Sequence, residues 1–349
     1  MPRKKTVTLR DLAELLGVSA HTVSKALRGL PGMSEETRAA VVKAAARYGY
    51  RTKDQERSLA VERIPIIPHK RRHFKLVIPE RSGNSRMYRL LLDGLRDKLG
   101  EYGHAIETIA APAGLTEREP FEAWADRHGL GYTDGLFIHP LIEEPFERML
   151  IELPVPRVLL NFPPPAAEVD SVAWDVGTAV YQSVRHLLSK GHSRILYIGG
   201  IHEYRGFRLR WHSFVNAMKE AGLEARPDEH VTETFASRKL WHRDVTEKLR
   251  ANRSTAILSA VGDNLLQIYE ACGSVGLRVP EQLSLVSLEH EANETVPELT
   301  RPLLLIRESG VRGAERMLWR LGNPNVPYEH ILLQGSFFEG KTVSRPATR

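Results

Sequence analysis

Near the C-terminus, Gly335-Ser336-Phe337-Phe338-Glu339-Gly340-Lys341-Thr342 has the spacing of a phosphate-cradling loop, in which backbone amides hold phosphates while the lysine and hydroxyl complete the site. That chemistry needs a strand before the loop, a helix N-terminus after it, and an acidic metal-binding strand beyond. Only seven residues follow Thr342, and Pro346 interrupts them, so the run predicts a terminal strand or turn. Gly199-Gly200 followed by Gly206 has the wrong spacing for a dinucleotide fingerprint. The chain has 14 histidines, but none forms a ligand pair on a plausible helix; His69 and His73, four apart, fall in a proline-flanked basic stretch. With Cys272 as the sole cysteine, a structural zinc site and a disulfide within the chain are both unexpected. No serine nucleophile elbow and no coupled carboxylate pair stands out. No catalytic residue, metal or cofactor is expected, and the groups left are ones that bind.

Charge points to what they bind. Residues 1–73 carry 16 Lys/Arg against 7 Asp/Glu. That surplus of nine exceeds the net charge of +6 on all 349 residues, so the remaining 276 sum to −3. A basic segment joined to a near-neutral body suits a polyanionic partner. Apolar residues at 42% and charged residues at 26% are ordinary for a soluble globular chain of two or three domains. No stretch approaches the roughly 20 apolar residues of a membrane helix. The start Met-Pro-Arg-Lys-Lys is no secretory signal, and the cysteine usage fits a reducing cytoplasm.

The elements that must position these groups fall into two patterns. Residues 8–49 read as three short helices. Thr8 caps the first, with Leu9, Leu12, Ala13, Leu15 and Leu16 on one face, and Gly17 ends it. Ser19 caps the second, which carries Val23, Ala26 and Leu27. Gly29 to Gly32 form a loop around Pro31. Ser34 caps the third, with Glu35 and Glu36 in its first turn; Val41, Val42, Ala45 and Tyr48 give its buried side, and Gly49 ends it. Two helices across a tight turn, in a basic segment, suit a helix-turn-helix whose second helix enters the major groove. Residues 51–73, with Pro65, Pro68 and the basic run His69–His73, predict an extended linker. From Phe74 strands and helices alternate: strands at Leu76–Ile78, Gly135–Ile138, Val158–Leu160, Ile195–Ile198, Ala256–Ser259 and Leu283–Ser287, and helices through Leu90–Leu99, Val176–Leu188, 208–221 and 264–275. Such alternation implies parallel sheets covered by helices, with ligands at the strand C-termini. The expected organisation is a headpiece over 1–50, a hinge and basic linker over 51–73, and an α/β body over 74–349.

The segment Thr8–Leu27 (TLRDLAELLGVSAHTVSKAL) closely resembles the start of the LacI/GalR family of repressors. Ser34-Glu35-Glu36-Thr37-Arg38 and Tyr48-Gly49-Tyr50-Arg51 match its third helix. Thr133-Asp134-Gly135-Leu136, Gly191-His192-Ser193-Arg194-Ile195 with Ile198-Gly199-Gly200, and Gly276–Glu281 with Ser284-Leu285-Val286 follow in the family's order along the body. The resemblance implies an all-α headpiece followed by a periplasmic-binding-protein-like body of two subdomains that close on a small molecule. It also implies a homodimer on double-stranded operator DNA. Base edges would meet Ala20 and His21, and Lys25 one turn later; Lys25 can donate to guanine and Ala20 can touch a thymine methyl. Thr8, Ser19, Thr22, Ser24 and Ser34 suit phosphates, which set register, and Arg10 and Arg28 suit either. Leu59 aligns with the hinge leucine that wedges into the minor groove. The chain departs from the pattern nearby: Thr52-Lys53 stand for the usual Pro-Asn, and Glu56 replaces a small residue.

For the body, the resemblance puts Arg210 in the place of the pocket arginine, whose forked donors suit vicinal hydroxyls or a carboxylate. Asp175 aligns with an acidic pocket residue, and Met87 and Tyr88 with an aromatic pair. Asn161 and Phe162 follow a strand, and Phe235 aligns with a stacking residue. Asp263, after Gly262 and a one-residue deletion, and Glu289 stand where the family has Asn-Asp and Asp-Asp. The implied effector is a sugar, a sugar derivative or a nucleobase. Two alternatives remain: a DNA-binding regulator with a vestigial pocket, and a nucleotide-dependent enzyme acting through Lys341.

Overall fold

The computed structural model describes residues 7–27, 30, 32–48, 50, 71–83, 85–233, 237–262, 264–292 and 294–346. The chain divides into two compact units, Met1–Pro68 and His69–Arg349. The loop residues Gly29 and Pro31, the helix stop at Gly49 and nearly all of the linker lie outside the described residues.

In the first unit, α1 (Leu9–Leu16), α2 (Ala20–Leu27) and α3 (Glu35–Tyr48) each begin at a side-chain cap. The Asp11 amide donates to Thr8 Oγ1 at 3.3 Å while the Thr8 amide donates to Asp11 Oδ2 at 2.7 Å, a reciprocal box that satisfies two amides left over at the helix start. Ser19 accepts from the Thr22 amide at 3.0 Å and Ser34 from the Thr37 amide at 3.2 Å. Gly17 ends α1 at φ 64°, where a Cβ is strained. Leu12, Val23 and Val41 are buried together with Ala13, Ala26, Ala44 and Ala45. This core is narrower than the apolar pattern suggests. Leu15, Val42 and Tyr48 face outward at 56%, 51% and 43% exposure. Leu15 is roughly a third of a turn from the centre of the Leu9, Leu12, Ala13 and Leu16 stripe; Val42 is one step round from Val41, Ala44 and Ala45, and Tyr48 lies a turn beyond their end.

The second unit holds two parallel sheets. β1 (His73–Pro79), β2 (Ala105–Ala111), β3 (Gly135–Ile138), β4 (Arg157–Leu159), β5 (Asp170–Trp174) and β10 (His330–Leu333) form one in the order β10-β5-β4-β3-β1-β2. The other is β6 (Ile195–Ile198), β7 (Ala256–Ser259) and β8 (Ser284–Ser287) in that order. Every ladder in both is parallel, and, apart from the loop over residues 160–169 that joins β4 to β5, the strands are connected through helices. These are α4 (Arg86–Gly100), α5 (Arg118–Arg127), α6 (Glu144–Ile151), α7 (Val176–Ser189), α8 (Arg205–Glu220), α9 (Arg238–Asn252), α10 (Leu265–Ser274) and α11 (Ile306–Gly322). β3, β6, β7 and β8 are buried along their whole length, the continuous apolar runs expected of covered parallel strands. Because α11 and β10 rejoin the first sheet, the chain passes between the halves three times. α4 and α11 meet backbone to backbone: a Cβ on Gly94 would stand 2.1 Å from the Arg307 carbonyl oxygen and one on Gly310 2.3 Å from that of Leu91.

One sequence expectation shifts here and another is met. His73 opens β1, and Arg72 pairs with Asp134 at 2.9 Å, so the end of the basic run belongs to the body, where Arg72 has its partner. The Gly335–Thr342 run forms β11 (Phe337–Phe338), antiparallel to β9 (Arg301–Pro302). Cβ atoms on Gly335 and Gly340 would fall 1.8 and 1.9 Å from the Leu303 and Glu298 carbonyl oxygens. Thr342 is buried, donates to the Leu285 carbonyl at 2.7 Å and accepts from the Thr300 amide at 2.9 Å. Exposed Lys341 pairs with Glu298 at 2.8 Å. The glycines serve close chain packing, as the terminal-strand reading expects, and among the described residues no helix follows to offer its N-terminus to a phosphate.

Candidate functional site

On α2 the inward positions are Val23 and Ala26, both buried. His21 is exposed, and Lys25, one turn on, is half-buried; helical spacing therefore sets these two on one strip beside the buried one. Ala20 packs partly against the core. Thr22 and Ser24 are half-buried, and Thr8, Arg10, Ser19 and Ser34 are exposed. The hydroxyls of Thr8, Ser19 and Ser34 already serve as caps, and that of Thr8 also donates to Asp11 at 2.8 Å. Arg28 and Leu59 lie outside the described residues.

In the body, a cavity of about 180 Å³ opens where the C-terminal ends of both sheets face each other. Leu141 after β3, Leu160 and Phe162 after β4, and Trp174 at the end of β5 wall it from one half. Tyr204, Phe207 and Arg210 of the α8 region, Val261 and Gly262 after β7, and His290 after β8 wall it from the other. Met87 near the start of α4 contributes its thioether.

Of the side chains anticipated from sequence, Met87, Asn161, Phe162 and Arg210 come together here. Asn161 is turned to its own backbone, donating to the Pro140 carbonyl at 2.9 Å and accepting from the Phe162 amide at 2.8 Å. Arg210 is 6% exposed, donates Nη1 to the Ala260 carbonyl at 2.5 Å and lies 5.2 Å from the Phe207 ring centre. Burial brings its pKa down to about 10. Its Nε finds no partner among the described residues.

Tyr88, Asp175 and Glu289 do not line the cavity. Tyr88 donates its hydroxyl to Thr108 on β2 at 3.1 Å. Asp175 caps α7, accepting from the Thr178 amide at 2.9 Å and hydroxyl at 2.6 Å. Glu289 is buried and accepts from the Ser287 hydroxyl at 3.1 Å. Phe235 and Asp263 lie outside the described residues. The sequence reading passed over Trp174, Tyr204, Phe207 and His290. Phe207 was legible, since it stands three residues before Arg210 on one helix face; the others depend on where strands end.

Charged pairs cross between the halves at the cavity's edge. Arg205, at the start of α8, grips the buried Glu147 of α6 through Nη2 at 2.6 Å and donates Nε to the Phe162 carbonyl at 2.9 Å. Arg208 holds Glu144 at 2.5 Å. Burial raises the Glu147 pKa despite the Arg205 hydrogen bond, while Arg208 lowers that of Glu144.

A second buried network lies away from the cleft. Asp170 on β5, fully buried, accepts from Arg316 at 2.9 Å, Arg320 at 2.6 Å and the Glu329 amide at 2.9 Å. Burial opposes its charge, but the bonds from Arg320, the Glu329 amide and Arg316 hold its carboxyl below the ordinary range. It ties β5, α11 and the approach to β10 together, a structural task rather than a binding one.

Comparison with known proteins gives these two sites their setting. Residues 8–53 match the model of bacterial regulatory proteins of the lacI family, and residues 184–343 that of a periplasmic binding protein-like domain. The HTH-type transcriptional regulator AglR of Rhizobium meliloti (strain 1021) is 30% identical over 331 residues, covering 89% of this chain and 87% of that one. MalR of Streptomyces coelicolor (strain ATCC BAA-471 / A3(2) / M145), also named an HTH-type transcriptional regulator, is 25% identical over 99% of both chains. The fold is that of a transcriptional regulator CelR in complex with cellobiose, with a TM-score of 0.67 at 22% identity over 96% of this chain and 99% of that one. It is equally that of a lac repressor dimer bound to operator and the anti-inducer ONPF, with a TM-score of 0.65 at 22% identity over 97% of this chain and 100% of that one. These relatives are transcriptional regulators, not enzymes, which removes the nucleotide-dependent alternative. A helix-turn-helix followed by a parallel α/β body, matched along nearly its whole length by such proteins, makes this chain a member of the lacI family of bacterial regulatory proteins.

Proposed function

We propose that this chain is a repressor that acts in the cytoplasm as a homodimer on operator DNA, under the control of a small effector in the cleft between its two sheets. The observation that carries the reading is the division of α2: Val23 and Ala26 are buried while His21 and Lys25 stand on its accessible side, the placement a recognition helix needs. Two copies would set two such helices about 34–36 Å apart, on a near-palindromic site. Thr8, Arg10, Ser19, Thr22, Ser24 and Ser34 would hold phosphates, with Arg28, while His21, Lys25 and Ala20 read bases and Leu59 enters the minor groove. The headpiece, linker and body divide near residues 50 and 73 in this reading. The effector in this reading is sugar-like or nucleobase-like and acts by differential affinity for two states. The cellobiose named for one structural relative supports the sugar-like form, and the operator named for another supports the DNA partner.

Selection of bound duplexes from a random library with the purified full chain tests it. The expected result is one enriched two-fold sequence whose affinity falls roughly a thousandfold between about 50 and about 200 mM salt. Equal retention of all duplexes at physiological ionic strength overturns the reading.

A further inference from the structure

We infer that the effector is a small organic anion, a carboxylate on a flat, largely apolar body, held by Arg210. The inference rests on the reading of the cleft as an effector site and concerns what that site takes.

Arg210 is the only arginine, lysine or carboxylate side chain among the described residues that line the cavity; Ser85, Asn161, Tyr204 and His290 add further polar groups. Arg210 brings a full positive charge, 94% buried, whose Nη1 meets only a carbonyl and whose Nε has no partner among the described residues. No carboxylate among the described residues lines the cavity or lies within ion-pair distance of that guanidinium. Of the acidic residues anticipated at the pocket, Asp175 is engaged on the start of α7 and Glu289 with Ser287, while Asp263 lies outside the described residues. Asn161 offers little more, its amide being bonded to Pro140 and Phe162. The remaining wall is mostly carbon, with Leu141, Leu160, Phe162, Trp174, Phe207 and Val261 prominent.

A neutral polyol would leave the guanidinium without a counter-charge, and each of its hydroxyls set against the carbon wall costs affinity. A buried cation without a counter-ion is itself unfavourable. A ligand that supplies the missing charge relieves that cost and meets the guanidinium with two parallel hydrogen bonds. The aromatic walls suit a flat body, and about 180 Å³ admits a ring with one small substituent, since a cavity of about 150 Å³ already takes benzene.

Thermal melting of the full chain tests this in two arms. Without ligand, Arg210→Gln should melt at the same temperature as the native chain or higher, because it removes an uncompensated buried charge. A fall of more than about 2 °C means that the protein itself neutralises the guanidinium, and overturns the inference. With ligand, the native chain is titrated with benzoate, 4-hydroxybenzoate, glucuronate and galacturonate, each beside a neutral counterpart: benzamide, 4-hydroxybenzamide, glucose and galactose. Saturating shifts of about 5 °C with an aryl acid, absent with its neutral partner and absent in Arg210→Gln, support the inference; shifts confined to a uronate overturn its flat, apolar body. Larger shifts with the neutral sugars, or no shift with any acid, overturn it. Retention of the selected duplex is followed in the same samples. If the duplex is bound but only neutral sugars act, the anion fails alone; if no duplex is preferred, the repressor reading fails.

Discussion

The headpiece and the body put their working groups on opposite sides of their cores. In the headpiece the buried residues are small in number and purely apolar, while His21, Lys25 and the capping hydroxyls stand at the surface. In the body the working groups are themselves buried: Arg210 sits among aromatic rings, and Glu147 and Arg205 meet beneath the surface at the edge of the same cleft. The contrast teaches where function and stability can be separated. A side chain that reads DNA from the surface can be removed with little effect on folding. Inside a packed cleft the outcome depends on the group's partner: removing Glu147 or Arg205 strands the other charge of the pair, whereas Arg210, with no carboxylate partner among the described residues, can be replaced without that cost.

Variants can break or sharpen that contrast. The largest effect should come from Asp170→Ala, which strands Arg316 and Arg320 in the interior and is expected to cost about 3–5 kcal/mol. Urea unfolding of the body should show it, and a loss below about 1 kcal/mol would mean that the arginines find other partners. Leu12→Ala removes a fully buried side chain from the small headpiece core. The expected cost is about 2–4 kcal/mol, enough to abolish duplex binding while the melting transition of the body stays in place. A joint loss of both transitions would show that the two units fold as one.

Acidification should act on the body. His230 accepts from the Tyr197 amide through Nδ1 at 3.1 Å and His139 from the Leu141 amide through Nδ1 at 3.2 Å. Each acceptor nitrogen is lost on protonation, and burial holds the two pKa values down to about 4 and about 3. Unfolded histidine titrates near 6.5, so the folded values are depressed. The stabilisation is therefore complete above about pH 7 and is lost as pH falls towards 4. Between pH 7 and 5 each should cost about 2 kcal/mol, and His230→Asn should flatten its share of the profile. The smallest effect on folding belongs to Lys25→Ala. It should leave the melting temperature within about 1 °C yet relax preference at one base pair per half-site by about 1 kcal/mol or more. An unchanged preference profile would remove Lys25 from the reading strip.

The headpiece was legible because its information is local. Caps at Thr8, Ser19 and Ser34, the stop at Gly17 and the three-and-four spacing of Leu12, Leu16, Val23 and Ala26 operate within a turn or two of chain. The errors there, Leu15, Val42 and Tyr48, concern how wide a stripe three short helices can cover, which only their packing sets. In the body, β3, β6, β7 and β8 could be read as short apolar runs bounded by polar or turn-forming residues. The return of α11 and β10 to the first sheet could not, since it depends on Asp170 finding Arg316 and Arg320 about 150 residues later.

By itself, the amino-acid sequence determined the helix starts and stops and the charge asymmetry, because these follow from neighbouring residues and from composition, and its resemblance to a known family pointed to the class of protein and to the arginine of the cleft. Tertiary structure alone decided which groups share the cavity. Strand ends brought Trp174 and His290 to it, while hydrogen bonds turned Asp175, Glu289 and Tyr88 away. A side chain's direction there is settled by the best available partner in three dimensions, and that partner need not be a neighbour along the chain.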